Sequence, residues 1–332
     1  MKVAVFSTKP YDKEYLTSAN DTFNANLEFE FYEAHLNKDT AILAKGSDAI
    51  CCFVNDNIDA DVLTQLVAFN IKDISLRCAG FNQVDLDKAK ELGIRVARVP
   101  EYSPHAIAEH ALALILALNR NIHRAHTRIR ENDYSIHGLL GFDLHGKTVA
   151  VFGTGKIGAT FAKVMKGLGC NVVAYDPYPN PDLLALDIPY VNLDQALNRA
   201  DIISLHCPLM PETQYLINDE TLAKTKKGVM VINTSRGGLI DTKAIIRGLK
   251  TGQVGYVGLD VYEEEGDLFF DDLSNQLLQD DVFARLLTFP NVVITGHQAF
   301  FTKEALINIT DTVVQNLMDM RNNQIKASNR VA

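Results

Sequence analysis

The chain has 332 residues, 47% hydrophobic and 22% charged, and a net charge of -9. That length and composition describe an ordinary globular chain of about two domains, and the acidity excludes nucleic acid as a default partner, because phosphate backbones select basic surfaces. The five cysteines (Cys51, Cys52, Cys78, Cys170, Cys207) are odd in number and follow no metal-ligand spacing, so they read as free thiols in a reducing, cytoplasmic compartment, with no metal centre.

The N-terminus passes directly into Lys2-Val3-Ala4-Val5-Phe6, a strand and not a signal peptide, and no apolar run approaches a membrane span. Up to about residue 100, short apolar strands alternate with helical segments. Strands are expected at Val3–Phe6, Leu27–Phe31, Ala49–Val54, Ile74–Arg77 and Arg95–Val99, and helices at Lys13–Ala19, Asp59–Phe69 and Leu86–Leu92. Such alternation implies crossover connections and a parallel sheet. The turn Cys78-Ala79-Gly80-Phe81-Asn82 follows a strand end, where ligands sit in open α/β sheets. Ser103 and Pro104 suit an N-cap and first helical position, and open one long helical stretch to about Arg130. Its later part carries Arg120, Arg124, Arg128 and Arg130, read as a solvated face; Gly138 to Lys147 is a loop.

Val149-Ala150-Val151-Phe152 then reads as a buried strand running into Gly153-x-Gly155-x-x-Gly158, followed by a helix from Ala159 to Leu168 that stops at Gly169. A second apolar run, Asn171 to Tyr175, ends at Asp176. Strand, glycine turn, helix, strand and acid in this order form a dinucleotide-binding unit: the glycines permit a tight turn and close packing, and the helix N-terminus attracts phosphates. Further strands are expected at Asp201–His206, Gly228–Thr234, Val254–Val261 and Asn291–Thr295, with helices at Leu193–Asn198, Asp219–Ala223 and Thr242–Lys250. Glu263 to Phe289 interrupts this rhythm and is long for a connection in a compact domain. A final helix runs from about Thr302 to Met320.

Catalytic groups beside a nicotinamide should come from strand C-terminal ends. Four such ends carry capable residues: His206, Arg236, the Asp260/Glu265 segment and His297. A guanidinium at Arg236 suits a substrate carboxylate, with a structural ion pair as the competing reading. His297 suits proton exchange with a carbonyl or hydroxyl oxygen. His206 is followed at once by Cys207-Pro208, so its backbone is expected to pass beneath a ligand. The remaining histidines read as surface or packing residues. Composition does not choose among Glu263, Glu264 and Glu265.

Arg77-Cys-Ala-Gly-Phe-Asn, Gly153-Thr-Gly-Lys-Ile-Gly, Leu205-His-Cys-Pro-Leu, Asn233-Thr-Ser-Arg-Gly, Asp260-Val-Tyr-Glu and Gly296-His-Gln-Ala-Phe together resemble the D-isomer-specific 2-hydroxyacid dehydrogenases over essentially the whole chain. The Asp267-Leu-Phe-Phe insertion points within them to the fermentative D-lactate branch. The resemblance implies two doubly wound parallel-sheet domains: a discontinuous, flavodoxin-like substrate domain of residues 1–101 and 300–332, and a Rossmann NAD-binding domain of residues 102–299. It implies reduction of pyruvate by NADH to D-lactate, with Arg236 binding the 2-oxo acid, His297 donating the proton and Glu265 pairing with His297. Gly153, Gly155, Lys156, Ile157, Gly158, Asp176, His206, Cys207, Pro208, Thr213, Thr234, Ser235 and Asp260 match the cofactor groove, Asp176 toward the adenosine ribose and Asp260 toward the nicotinamide carboxamide. Phe53, Ala79, Gly80, Tyr102 and Phe300 match the substrate pocket, with Arg236 and His297. A small-molecule acid, no nucleic acid or membrane, and a homodimer or homotetramer are the implied partners. Two other readings stay open: a reductase of larger 2-oxo acids, and a cofactor-sensing binding protein without turnover.

Overall fold

The computed structural model describes residues 1–266 and 268–332, with only the backbone of Asp267, the first residue of the insertion motif; its side chain lies outside the described residues. The chain divides into two compact units, Met1–Ser103 with Phe301–Ala332, and Pro104–Phe300.

The first unit begins with β1 (Lys2–Val5), α1 (Pro10–Thr22), β2 (Glu28–Phe31), β3 (Ala49–Cys52), α2 (Ala60–Ala68), β4 (Asp73–Leu76), α3 (Leu86–Glu91) and β5 (Arg95–Ala97). Its strands are all parallel in the order β2-β1-β3-β4-β5, the flavodoxin-like arrangement. β3 and β4 are buried at every position, as strands covered by helices on both faces must be. Helix starts are chemically marked: Pro10 stands in the first turn of α1, while Asp59 and Asp85 cap α2 and α3 by accepting from the N–H groups of Val62 and Lys88.

The second unit runs α4 (Pro104–Asn119), α5 (Ile122–Arg130), β6 (Thr148–Phe152), α6 (Lys156–Gly167), β7 (Asn171–Tyr175), α7 (Pro181–Leu184), α8 (Leu193–Arg199), β8 (Ile202–Leu205), α9 (Asp219–Ala223), β9 (Val229–Asn233), α10 (Thr242–Thr251), β10 (Val254–Leu259), α11 (Asp281–Leu287) and β11 (Val292–Ile294). The parallel order is β11-β10-β9-β8-β6-β7, so the chain steps outward from β6 to β7 and then back across to β8. That reversal opens a crevice at the C-terminal ends of β6 and β8. The last helix, α12 (Lys303–Arg321), returns to the first unit and packs on α1 and β4. Among the described residues no helix is long and apolar enough to cross a membrane.

The single helix expected from Ser103 to Arg130 is two. Asn119 donates its amide to the Phe142 carbonyl and accepts from the Phe142 N–H, while Asn121 takes a left-handed φ of 51°, breaking the ladder between α4 and α5. The basic end of the stretch then reaches the following loop: Arg124 and Arg128 donate to the carbonyls of Gly138 and His137. Two short helices, α7 and α11, are not among those expected from the sequence.

Candidate active site

Gly153 follows β6 with φ 89°, and a Cβ there would lie 2.5 Å from the Cys207 nitrogen; one at Gly158 would lie 1.9 Å from the Gly153 oxygen. Turn, α6 and the end of β8 therefore close on one another only without side chains. At Gly155, the N-cap of α6, a Cβ would meet nothing within 4 Å, and no side chain caps the helix. The first-turn N–H groups of Ile157 and Gly158, just past Lys156, have no acceptor within the helix and carry its positive dipole end. Asp176, at the end of β7, accepts from the Thr154 N–H at 2.6 Å and from the Tyr178 N–H, which sets the turn against the acid. Across the crevice Ser235 Oγ donates to the Cys207 carbonyl at 2.7 Å, joining the ends of β9 and β8. Thr213 closes its own turn, accepting from Met210 N–H and donating to the carbonyl of exposed Pro208. Thr234 Oγ1 is buried without a partner among the described residues. An uncapped helix start, space at Gly155 and an orphaned hydroxyl fit a dinucleotide.

His206 contributes differently from the other residues of this groove. Its ring packs against Phe161 with centroids 4.9 Å apart, its Nε2 lies 2.8 Å from Ser204 Oγ, and its Nδ1 is sealed from solvent without a partner. Burial pushes the imidazole down to about 3, so it is neutral packing beneath the glycine turn. Burial likewise pushes the Cys207 thiol up to about 11.

The ends of β9, β10 and β11 are laced together: Asp260 N–H donates to the Asn233 carbonyl, and His297 N–H donates to the Asp260 carbonyl at 2.8 Å. Buried Asn233 shapes the next turn, accepting from Ser235 N–H and donating to the Arg236 carbonyl. Among the described residues the Arg236 guanidinium donates once, to the Ser235 carbonyl, and no carboxylate lies in ion-pair range of it. Nothing among the described residues supports the ion-pair reading of Arg236. His297 stands at φ 50°, its Nδ1 2.8 Å from Glu265 Oε1. The second oxygen of Glu265 accepts from Tyr262 N–H at 2.9 Å, which selects Glu265 among the three successive glutamates as the partner of His297. Since a carboxylate only accepts, Nδ1 carries the proton toward Glu265 and leaves Nε2 to face outward.

Asp260, which the resemblance matches to the carboxamide contact, sits buried just past the end of β10. Its side chain is 1% exposed; Oδ1 accepts from Thr295 Oγ1 and Gln298 N–H, and Oδ2 from Ala299 N–H. Burial pushes the carboxyl up, but hydrogen bonds from His110, Thr295 and Ala299 outweigh it and hold the group below the ordinary carboxylate range.

In the first unit, Phe53 follows β3, with the Arg77 guanidinium 4.9 Å from its ring centre, and Ala79 and Gly80 follow β4. Buried Arg77 donates to Asp12 and to the carbonyls of Phe6 and Ser7, fixing these strand ends. The Tyr102 carbonyl accepts from Asn308 on α12. Phe300 is the last residue of the second unit and is buried.

The segment 112–299 matches the family model for the D-isomer specific 2-hydroxyacid dehydrogenase NAD binding domain. D-lactate dehydrogenase of Escherichia coli is 51% identical over 320 residues, covering 96% of this chain and 97% of that protein. The chain belongs to the D-isomer-specific 2-hydroxyacid dehydrogenases. It is an NAD-dependent enzyme. Among solved structures, the pyruvate reductase of Chlamydomonas reinhardtii superposes with a TM-score of 0.92 at 48% identity, covering 98% of this chain and 97% of that one. The apo structure of the E. coli D-lactate dehydrogenase gives 0.91 at 47%, with both chains covered in full.

Three residues of this dehydrogenase's site were not anticipated. Tyr262 holds Glu265 through its N–H and, through its hydroxyl, Asp280 at 2.7 Å. Phe270, from the insertion and itself at φ 75°, sits with its ring 5.5 Å from that of His297. His110 on α4 lies 3.0 Å from Thr295 Oγ1. A signal for His110 was available: with Ile107 three positions before and Leu114 four after, it stands on the apolar stripe of its helix.

Proposed function

We propose that this dehydrogenase reduces pyruvate to D-lactate, with Arg236 binding the substrate carboxylate and His297 donating the proton. The observation that carries the reading is an arginine with unused donors at one strand end, beside a histidine–carboxylate pair on neighbouring strands of the same sheet. The glycine turn and the start of α6 would hold NADH, which when bound would supply a hydride to C2 of the substrate. Arg236 grips the carboxylate through a planar fork and so presents one face of the carbonyl. As negative charge grows on the carbonyl oxygen, the Nε2 proton of His297 passes to it, and the Glu265 carboxylate stabilises the charged ring. In the oxidative direction the neutral ring takes the hydroxyl proton. Asp176 accepts from the adenosine ribose hydroxyls, and its charge opposes a 2′-phosphate.

D configuration, a homodimer or homotetramer and a cytoplasmic setting belong to the same reading, on the family expectation; the five cysteines, all free and buried, accord with a reducing compartment. The test is NADH oxidation with a panel of 2-oxo acids, followed by chiral analysis of the product. A preference for pyruvate with D-lactate formed supports the proposal. A higher kcat/KM for hydroxypyruvate, glyoxylate or a branched 2-oxo acid replaces the substrate, and no turnover with any of them replaces the reaction.

A further inference from the structure

His297 holds a backbone conformation, φ 50°, that a side chain bearing a Cβ rarely adopts. Something must hold it there, and the hydrogen bonds identify what does. Three consecutive N–H groups converge on one residue: those of His297, Gln298 and Ala299 donate to the main-chain oxygen, Oδ1 and Oδ2 of Asp260. The turn is thus a nest of amides folded around a buried carboxylate.

That carboxylate is itself fixed from behind. Thr295 Oγ1 lies 2.5 Å from Asp260 Oδ1, so the hydroxyl proton sits between the two oxygens. His110 Nε2 faces both of them, 3.0 Å from Thr295 Oγ1 and 3.3 Å from Asp260 Oδ1. With the hydroxyl proton committed to the carboxylate, each oxygen can only accept from the imidazole, so Nε2 carries hydrogen. The position of His110 is a rigid one. A Cβ at Gly258 would lie 3.1 and 3.2 Å from Leu118 and Leu114 of α4, so glycine in β10 lets that helix come down onto the strand that ends in Asp260.

We propose that His110 is a positioning residue for proton transfer: its Nε2–H locks Thr295 and Asp260, and they hold the turn that aims the His297 ring. The proposal rests on the reading of His297 as proton donor. Its route is complete within the second unit: α4, the end of β10, the end of β11, and the turn 295–299.

The experiment compares His110→Leu, His110→Gln, Thr295→Val and their combinations in full-length enzyme. It measures steady-state pyruvate reduction, NADH affinity by cofactor fluorescence, and the isotope effect with deuterated NADH. His110→Leu should lower kcat roughly 10- to 100-fold, as expected for a charge-assisted contact behind a catalytic group, while NADH affinity stays within about twofold. Hydride and proton transfer should become rate-limiting, so the isotope effect on kcat should rise. His110→Gln offers an N–H donor from the same face and should recover most of the loss. His110→Leu/Thr295→Val should be no slower than the slower single variant, because both break one network. Thr295→Val alone carries the test if His110→Leu does not fold.

A kcat and isotope effect in His110→Leu equal to wild type overturns the proposal. So does a Gln variant that folds normally yet is as slow as the Leu variant. His297→Gln, assayed alongside, separates the two levels. Full activity there removes the reading of His297 itself, whereas an inactive His297→Gln beside a fully active His110→Leu removes only the role of His110.

Discussion

Replacing Arg236 by Lys keeps the positive charge and removes the fork. In the structure one Nη1–H is taken by the Ser235 carbonyl and, among the described residues, no acid competes for the remaining donors, which leaves parallel N–H groups for a substrate carboxylate. An ammonium reaches one carboxylate oxygen at a time and does not fix the plane of the carboxylate. Losing one charge-assisted hydrogen bond costs about 1.5–3 kcal/mol, and losing the orientation brings the total to about 2–4 kcal/mol. That corresponds to a fall in kcat/KM for pyruvate of roughly 30- to 900-fold. The assay follows NADH absorbance with pyruvate and, in parallel, with methyl pyruvate, whose ester offers no carboxylate. If Arg236 works through the carboxylate, the ester should be a poor substrate for both enzymes, and the wild-type advantage should shrink toward unity with it. Equal losses on acid and ester, or a near-normal value for pyruvate in Arg236→Lys, would refute the assignment.

Asp176→Ser should narrow the preference for NADH over NADPH, read from kcat/KM with each cofactor; a wild-type enzyme that uses both equally would refute the ribose contact. Glu265→Gln should lower kcat/KM for pyruvate by roughly 10- to 100-fold, because the charge facing the His297 ring is lost while size is kept. His297→Gln should lose more, and a Glu263→Gln variant that matched Glu265→Gln would show that the wrong glutamate was chosen. His206 gives a pH signature in stability. Its folded value, about 3, lies below the ordinary 6.5, so between these limits the unfolded chain binds a proton that the fold excludes. Its contribution is intact above pH 6.5 and falls by up to about 1.4 kcal/mol per unit as pH drops toward 3. Denaturant titrations of His206→Gln should show a lower stability at pH 7 but a flatter decline in acid; parallel curves for the two proteins would show that His206 is not the group responsible.

What the sequence made legible was whatever rests on local pattern. Three glycines between a strand and a helix specify a turn whatever surrounds them, and Arg236 and His297 stand a few residues past apolar runs, so their place near strand ends could be read without coordinates. Other features depend on partners distant in sequence. The break between α4 and α5 comes from Asn119 bonding the backbone of Phe142, which no window around the helix contains. Asp260 stands at a strand end, and its role toward the carboxamide is what the family resemblance implies. Only the packing of α4 and the turn 295–299 shows that its oxygens are already engaged. His110 and Phe270 reach His297's surroundings across 185 and 27 positions, and periodicity carries no record of such distances.

Tyr262 gives the insertion a particular tolerance. Its N–H holds Glu265 and its hydroxyl holds Asp280, the N-cap of α11, so one residue clasps both ends of the intervening stretch. A stretch clasped in this way can lengthen or shorten without moving the Glu265 carboxylate, and loop entropy charges little for it, about 0.6 kcal/mol per doubling of length. Phe270 is the exception, since its ring meets His297 from the middle of the stretch. Related chains can therefore vary this segment widely on either side of one aromatic position, and a designer can use it as a graft site on the same terms.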